Sequence, residues 1–331
     1  MGGKALKSIV TRRCSRTEFD QIRSELIPVF KEYFDRVDVP LFYNSKESFG
    51  DIDILVQVEG HENIRDIITD RFNPTEIFHN GNCYSFDYKL FQVDLITTSK
   101  EHFGTLCNYL CFNDLNNLVG KLARPLGLRF GQKGLVFEYH DVHHQHVENI
   151  TISTDYHKTC DFLGLNYEKY KQGFETLEEI FEFIIASKYF DYHRYQLEAL
   201  NHVNRERDVK RTSYMSFLTY LREKNIKKEC EFEKDKSKYI PMINEFFPEA
   251  NLLTEIKRLD YECAKKAYIQ SKFNGDKIIK KYNLQGKELG EAIIKFKSAE
   301  RFYKNFDDYV LNTKEKDIWF DFEVINDVRE R

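Results

Sequence analysis

Two acids stand one residue apart in Phe49-Gly50-Asp51-Ile52-Asp53-Ile54-Leu55-Val56. In an extended strand, side chains two positions apart leave the same face. Asp51 and Asp53 therefore project together while Ile52 and Ile54 turn to a core. Neighbouring carboxylates repel unless a cation lies between them, and magnesium takes carboxylate oxygens together with phosphate oxygens. An Asp-x-Asp at the head of an apolar strand is thus a scaffold for metal-bridged phosphate chemistry; its bland reading is a turn or a cap. A third acid, Asp94, interrupts the apolar run Phe91-Gln92-Val93-Asp94-Leu95-Ile96. A lone carboxylate among large apolar residues needs a partner or a metal to offset its burial. If its strand lies beside that of Asp51, three carboxylates gather. They suffice for two metal ions, one activating an acceptor hydroxyl and one holding a triphosphate. Asp94 is then placed to act on the hydroxyl, by ligating its metal or by accepting its proton.

The elements that must position these acids read as follows. Phe19, Ile22, Leu26, Phe30 and Phe34 recur at helical spacing, which predicts an amphipathic helix over 17–34. Residues 37–43 lead to a polar loop at 44–50 and a strand at 52–58. A short helix follows at 64–72, then strands at 83–90 and 91–96. Beyond Ile96 the pattern predicts a helix over 102–122 and a hairpin over 127–139 that turns at Gly131 and Gly134. Thr176-Leu177-Glu178-Glu179 is a capping-box pattern, placing a helix at 178–187. The charged stretch 225–238 reads as a linker or exposed helix, and 252–272 and 287–297 read as helices.

Composition bounds the class. The chain of 331 residues is long enough for a substantial core. A net charge of -4 neither announces nor excludes nucleic-acid binding, because a local basic groove can sit on an acidic protein. No apolar run reaches bilayer-spanning length, and Met1 to Leu6 lacks the apolar stretch of a signal peptide. Seven scattered cysteines without a Cys-x-x-Cys pair suit free thiols in a reducing compartment, hence a cytoplasmic location.

Gly50-Asp51-Ile52-Asp53-Ile54-Leu55-Val56 and Val93-Asp94-Leu95 resemble the catalytic motifs of the DNA polymerase beta superfamily of nucleotidyltransferases, which includes CCA-adding enzymes, poly(A) polymerases and small-molecule nucleotidyltransferases. The resemblance covers about residues 37–96. It implies a small mixed-sheet catalytic domain and two-metal transfer of a nucleoside monophosphate with release of pyrophosphate. Asp51, Asp53 and Asp94 would be the catalytic residues and the ligands of two Mg2+ ions, with Mn2+ as the substitute. The family's Gly-Ser or Gly-Gly helix start, whose N–H groups bind the triphosphate, is not found at 44–49. Ser45, Lys46 and Ser48 beside Gly50 stand in as phosphate ligands, as would Gly2-Gly3 if that segment folds back over the site. Lys121 and Arg124, one turn apart on the following helix, are further candidates for the triphosphate.

Other segments carry weaker signals. Arg205, Arg207, Lys210 and Arg211, with Tyr214 and Tyr220 nearby, could hold a nucleic-acid backbone and stack a base, or form a solvated helix face. Arg12, Arg13 and Arg16 could reach phosphates if Gly2-Gly3 approaches the acids. Asn113, Asn116 and Asn117 could read a base or ribose, or could cap or interrupt the helix. His140-Asp141-Val142-His143-His144-Gln145-His146 could bind zinc or form an exposed loop. Gly286 to Gly290 could bind phosphate at a helix start or simply enter a helix.

Together these readings predict an α+β fold. A catalytic domain spans 1–100, a helical middle domain with a β-hairpin spans 101–225, and a helical region spans 226–331. The expected function is magnesium-dependent transfer of a nucleoside monophosphate from an NTP to an RNA 3′ end. The alternatives are a small-molecule or protein acceptor, and an inactive nucleotide- or RNA-binding module. No membrane association is expected, and the oligomeric state stays open.

Overall fold

The computed structural model describes residues 3–299 and 305–329. The chain is mixed α and β, with a mixed sheet in its first part and mostly helices after it. It forms two compact units, one of residues 1–140 and 146–252 and one of 141–145 and 253–331. Residues 1–100 and 101–225, read as separate domains from the sequence, therefore lie in one unit. The physical reason is that the helix after the sheet packs on the sheet itself.

Strand β1 (Cys14–Ser15) leads into helix α1 (Arg16–Lys31). Ser15 opens the helix: its hydroxyl accepts the Glu18 N–H while the Glu18 carboxylate accepts the Ser15 N–H at 2.9 Å. Phe19, Ile22, Leu26 and Phe30 are buried, and each contributes about 1.5–3 kcal/mol by leaving water. The helix stops at Lys31, a turn short of the expected end, and Phe34 is buried beyond it.

Strands β2 (Val37–Asp38), β3 (Ser48–Phe49) and β4 (Asp51–Gln57) follow, then α2 (Ile64–Phe72), β5 (Ile77–Asn80), β6 (Cys83–Tyr88) and β7 (Phe91–Thr98). β1 and β3 pair as a short ribbon, while the main sheet has the order β2-β4-β7-β6-β5, with β4 and β7 parallel and the other pairs antiparallel. Alternation sorts its faces. Ile52, Ile54, Val56, Val93 and Leu95 join the α1 and α2 side chains in one core. The opposite face carries Asp51, Asp53 and Leu55 on β4, and Gln92, Asp94 and Ile96 on β7. There Leu55 and Ile96 pack with Phe103 and Leu106, which cover the apolar end of the face.

Phe103 and Leu106 belong to α3 (Phe103–Leu110), which is separate from α4 (Leu115–Ala123). The single helix expected over 102–122 is thus broken. Phe112 and Asn113 both adopt left-handed backbone, φ +59°, a conformation unfavourable for a bulky side chain. Tertiary contacts hold it: the Phe112 N–H donates to Leu41 O at 2.6 Å, and the ring packs edge-on against Phe174. The buried Asn116 amide donates to Asn108 O and Tyr109 O at 2.8 and 2.9 Å, satisfying carbonyls at the end of α3.

β8 (Leu128–Gly131) and β9 (Gly134–His140) form the expected hairpin, and β10 (His146–Ser153) adds a third antiparallel strand. A Cβ on Gly134, at φ +98°, would stand 2.2 Å from Ser153 O, so the approach of β10 requires glycine there. Helices α5 (Tyr156–Leu163), α6 (Tyr167–Gln172), α7 (Leu177–Ala186), α8 (Tyr192–Tyr195), α9 (His202–Val209), α10 (Thr212–Glu223) and α11 (Ile240–Phe246) complete the unit. Residues 225–235 run irregularly.

Helices α12 (Leu252–Lys272), α13 (Gly275–Tyr282), α14 (Gly286–Lys297), α15 (Phe306–Asn312) and α16 (Glu315–Asn326) follow. The second unit has its own core of Phe273, Ile278, Phe296, Trp319 and Phe322. Among the described residues no helix is long and apolar enough to cross a membrane.

Candidate functional site

β4 and β7 are neighbours, and their register sets Asp53 opposite Asp94 and Asp51 opposite Gln92. In parallel strands such partners face the same way, so all three carboxylates lie at one end of one sheet face. Burial pushes all three carboxyls up. For Asp53, raised furthest, Asp51 and Asp94 add like-charge repulsion. For Asp51, the Gly3 N–H and Lys46 oppose the rise. For Asp94, burial carries it to about 6, against hydrogen bonds from Ser85 and Gln92. The three acids are therefore held close without an adequate counter-charge.

Neighbours on the same face hold them. Gln92 Nε2 donates to both Asp94 oxygens at 2.9 and 3.0 Å, and Ser85 lies opposite Asp94 on β6. Both were missed from the sequence, although Gln92 is two residues before Asp94 and strand alternation alone puts it on the acid face. Ser85 is set by the β6–β7 register and carries no local signal.

Residues 3–11 cross this face. Gly3 N–H donates to Asp51 Oδ2 at 2.9 Å, Ala5 N–H to Gln92 Oε1 at 2.9 Å, and Thr11 Oγ1 to Gly3 O at 3.0 Å. Gly3 has φ +79°, and a Cβ on it would lie 2.2 Å from Gly50 O. Glycine is required at that crossing. Gly2 lies outside the described residues.

A cavity of about 560 Å³ opens beside Asp51 and Asp53, with Arg13, Tyr43, Lys46, Asn113, Thr212 and Ser213 on its walls. Lys46 Nζ donates to Asn113 Oδ1 at 2.9 Å and sits 4.6 Å from the centre of the Phe49 ring. Burial pushes its ammonium pKa down, and Asp51 and Asp53 oppose that. Arg13 donates to Ser48 Oγ at 2.8 Å and to Ser48 O at 2.9 Å, so Ser48 is engaged by a cation in this arrangement. Arg16 donates to Asn44 O, and Arg12 pairs with Glu18. Ser45 is exposed and is not on the cavity wall; its N–H is bound by Glu175 O at 2.9 Å. Thr212 and Ser213 reach the cavity from α10, more than a hundred residues away, which no short-range pattern reveals.

Lys121 and Arg124 are not at this cavity. They line a second one, of about 970 Å³. Lys121 is bound to Asp208, fully buried at 0% exposure, at 3.0 Å. Arg207 binds the other Asp208 oxygen at 2.9 Å. Burial raises the Asp208 carboxyl, but Arg207 and Lys121 outweigh it and hold it below its ordinary value. Of the remaining basic stretch, Arg205 is tied to Leu197 O and Leu200 O, Arg211 pairs with Asp114, and Lys210 is exposed. Tyr214 is fully buried with its hydroxyl on Tyr195 O, so it offers no stacking face. His140 and His146 end β9 and start β10, with the other histidines in the turn between.

The donor set at the acid face, carboxylate oxygens alone, has the hard character that Mg2+ and Mn2+ prefer. Among the described residues no three His, Cys, Asp or Glu side chains converge to ligand distance. At this site Asp51 is engaged by Gly3 and Asp94 by Gln92. The Gly3 N–H takes one Asp51 oxygen, Oδ2, and an ionised carboxylate has lone pairs enough to accept it and ligate a cation as well. No protein-family model and no curated protein matches the chain.

Proposed function

We propose that this protein transfers a nucleoside monophosphate from an NTP to an acceptor hydroxyl, most simply an RNA 3′ end. The observation that carries the reading is the Asp53–Asp94 register, with Asp51 on the same face. Three carboxylates raised together, two of them on a cavity whose walls also carry Lys46 and Arg13, suit a polyanion bound through a divalent cation. Asp51, Asp53 and Asp94 would hold Mg2+, or Mn2+ in its place. Bound there, the metal would offset the like-charge repulsion and supply positive charge to the phosphates and the attacking oxygen. Lys46 and Arg13 would take the triphosphate oxygens, with Asn113 holding the Lys46 ammonium in place. Asp94 would orient the acceptor hydroxyl and receive its proton as the new phosphodiester forms and pyrophosphate leaves.

The test is a screen of the full chain with labelled NTPs, Mg2+ and a panel of RNA and small-molecule acceptors, with Asp53→Asn as the blank. Magnesium-dependent labelling of RNA that the blank lacks is the expected result. Labelling of small molecules alone would replace the RNA acceptor. NTP binding that ignores Mg2+ and survives Asp53→Asn would overturn the catalytic reading.

A further inference from the structure

The 970 Å³ cavity has a different character from the acidic face. Six cationic side chains line it against a single acid, Glu101. Four of the six are already paired: Lys121 and Arg207 with Asp208, Arg129 with Glu138, and Arg194 with Asp191. Arg124 and Lys133 are exposed and have no ion pair among the described residues. Lys133 is at the tip of the β8–β9 hairpin, and Arg124 follows the end of α4. The other walls carry amides, Gln132, Asn201 and Asn204 among them, and two aromatic residues, the half-buried Tyr109 and the buried Phe130. His102 also lines the cavity, and its Nδ1 is buried without a hydrogen-bond partner.

Unpaired cations for phosphates, amides for base and ribose edges, and an aromatic ring for stacking are what single-stranded nucleic acid requires. α4 links this cavity to the acids. Asn113 and Asp114, at its start, line the acid cavity, while Gly120, Lys121 and Arg124 line this one. At 1.5 Å per residue, Asp114 and Arg124 are about 15 Å apart along the helix, within the reach of a few nucleotides. We infer that the cavity holds the backbone of a single-stranded RNA acceptor a few nucleotides upstream of its 3′ hydroxyl. The use of this site rests on the nucleotidyl-transfer reading, whereas its existence rests on the cavity alone.

The test uses the full chain without Mg2+ or NTP, so that binding is read apart from chemistry. A labelled single-stranded oligoribonucleotide of about ten nucleotides is titrated by fluorescence anisotropy at several salt concentrations. The variant combines Arg124→Ala with Lys133→Ala, two exposed residues whose loss leaves the core intact; Lys31→Ala, an exposed cation at the end of α1 and outside the cavity, is the control. The double variant is expected to bind about tenfold more weakly. The slope of log affinity against log salt should shrink by about 1.4, or 0.7 for each lost phosphate contact, with the control unchanged. Circular dichroism confirms that the variant is folded. Wild-type affinity and slope in the double variant, or no RNA binding by the wild type, would overturn the inference. A parallel titration with ATP in place of RNA that shows lost binding in the double variant, with RNA binding unchanged, would make this a nucleotide site and overturn the inference too. RNA binding that depends on Arg124 and Lys133, in a protein that transfers nothing, would refute the catalytic reading and leave this one standing.

Discussion

Asp94→Asn tests the electrostatic state of the acid face most directly. Its carboxyl is raised to about 6 by burial, against opposing hydrogen bonds from Ser85 and Gln92. The unfolded carboxyl titrates near 3.9, and the gap corresponds to about 3 kcal/mol. Because the folded pKa is the higher one, the wild type is most stable, as far as this group is concerned, below about pH 4. It loses that stability as the pH rises from about 4 to about 6, and it stays at the lower level above. Asparagine never ionises, so the substitution removes the penalty. Asp94 is half-buried, and solvent screening reduces the gain to about 2 kcal/mol. Against it, Gln92 loses one of its two acceptor oxygens, a cost of about 1 kcal/mol at every pH. The variant should therefore be about 1 kcal/mol more stable than the wild type at pH 8 and about 1 kcal/mol less stable at pH 4. Chemical denaturation at both pH values, in EDTA, measures the crossover. Added Mg2+ should stabilise the wild type by mass action and the variant much less. A variant destabilised equally at both pH values, or one that Mg2+ stabilises as much as the wild type, would refute the reasoning.

Lys46→Ala removes the ammonium between the acids and Asn113, and should raise the KM for NTP about tenfold or more, with a smaller effect on kcat, in steady-state transfer assays. Gly3→Ala sets a Cβ against Gly50 O at a positive φ; hydrogen exchange should report faster exchange over residues 3–8, while the sheet amides stay protected. Asp208→Ala leaves Lys121 buried without its partner and should destabilise the protein by about 3–5 kcal/mol in urea unfolding; a loss below 1 kcal/mol would mean that the pair is not buried in solution. Gly134→Ala forces a Cβ towards Ser153 O and should lower Tm by several degrees, read by differential scanning calorimetry.

Local patterns carried much of the sheet. Alternation in Asp51 to Val56 separates an acidic from an apolar face because strand periodicity is set by the backbone alone, and Gly131 and Gly134 mark a hairpin because a tight turn favours glycine. Ser15 and Glu18 cap α1 by contacts three residues apart. The break between α3 and α4 was legible only in part: the asparagines at 113, 116 and 117 allow an interruption, and asparagine tolerates left-handed backbone, but Phe112 has no local reason to adopt it, and the Leu41 carbonyl that binds Phe112 is about seventy residues away. β10 was also missed, since its first four residues are exposed and three of them are polar, and only pairing with β9 makes them a strand.

The sequence by itself determined which residues could do chemistry and that Asp51 and Asp53 must share a face, because side-chain type and strand period are local properties. Tertiary structure alone decided that Asp94 stands opposite Asp53, that Gly3 occupies Asp51, and that Lys121 and Arg124 serve a different cavity from the acids. Each of these depends on strand order or on a contact between distant segments. Such contacts follow from the register that buries the most apolar surface over the whole unit, and no short stretch of sequence encodes that register.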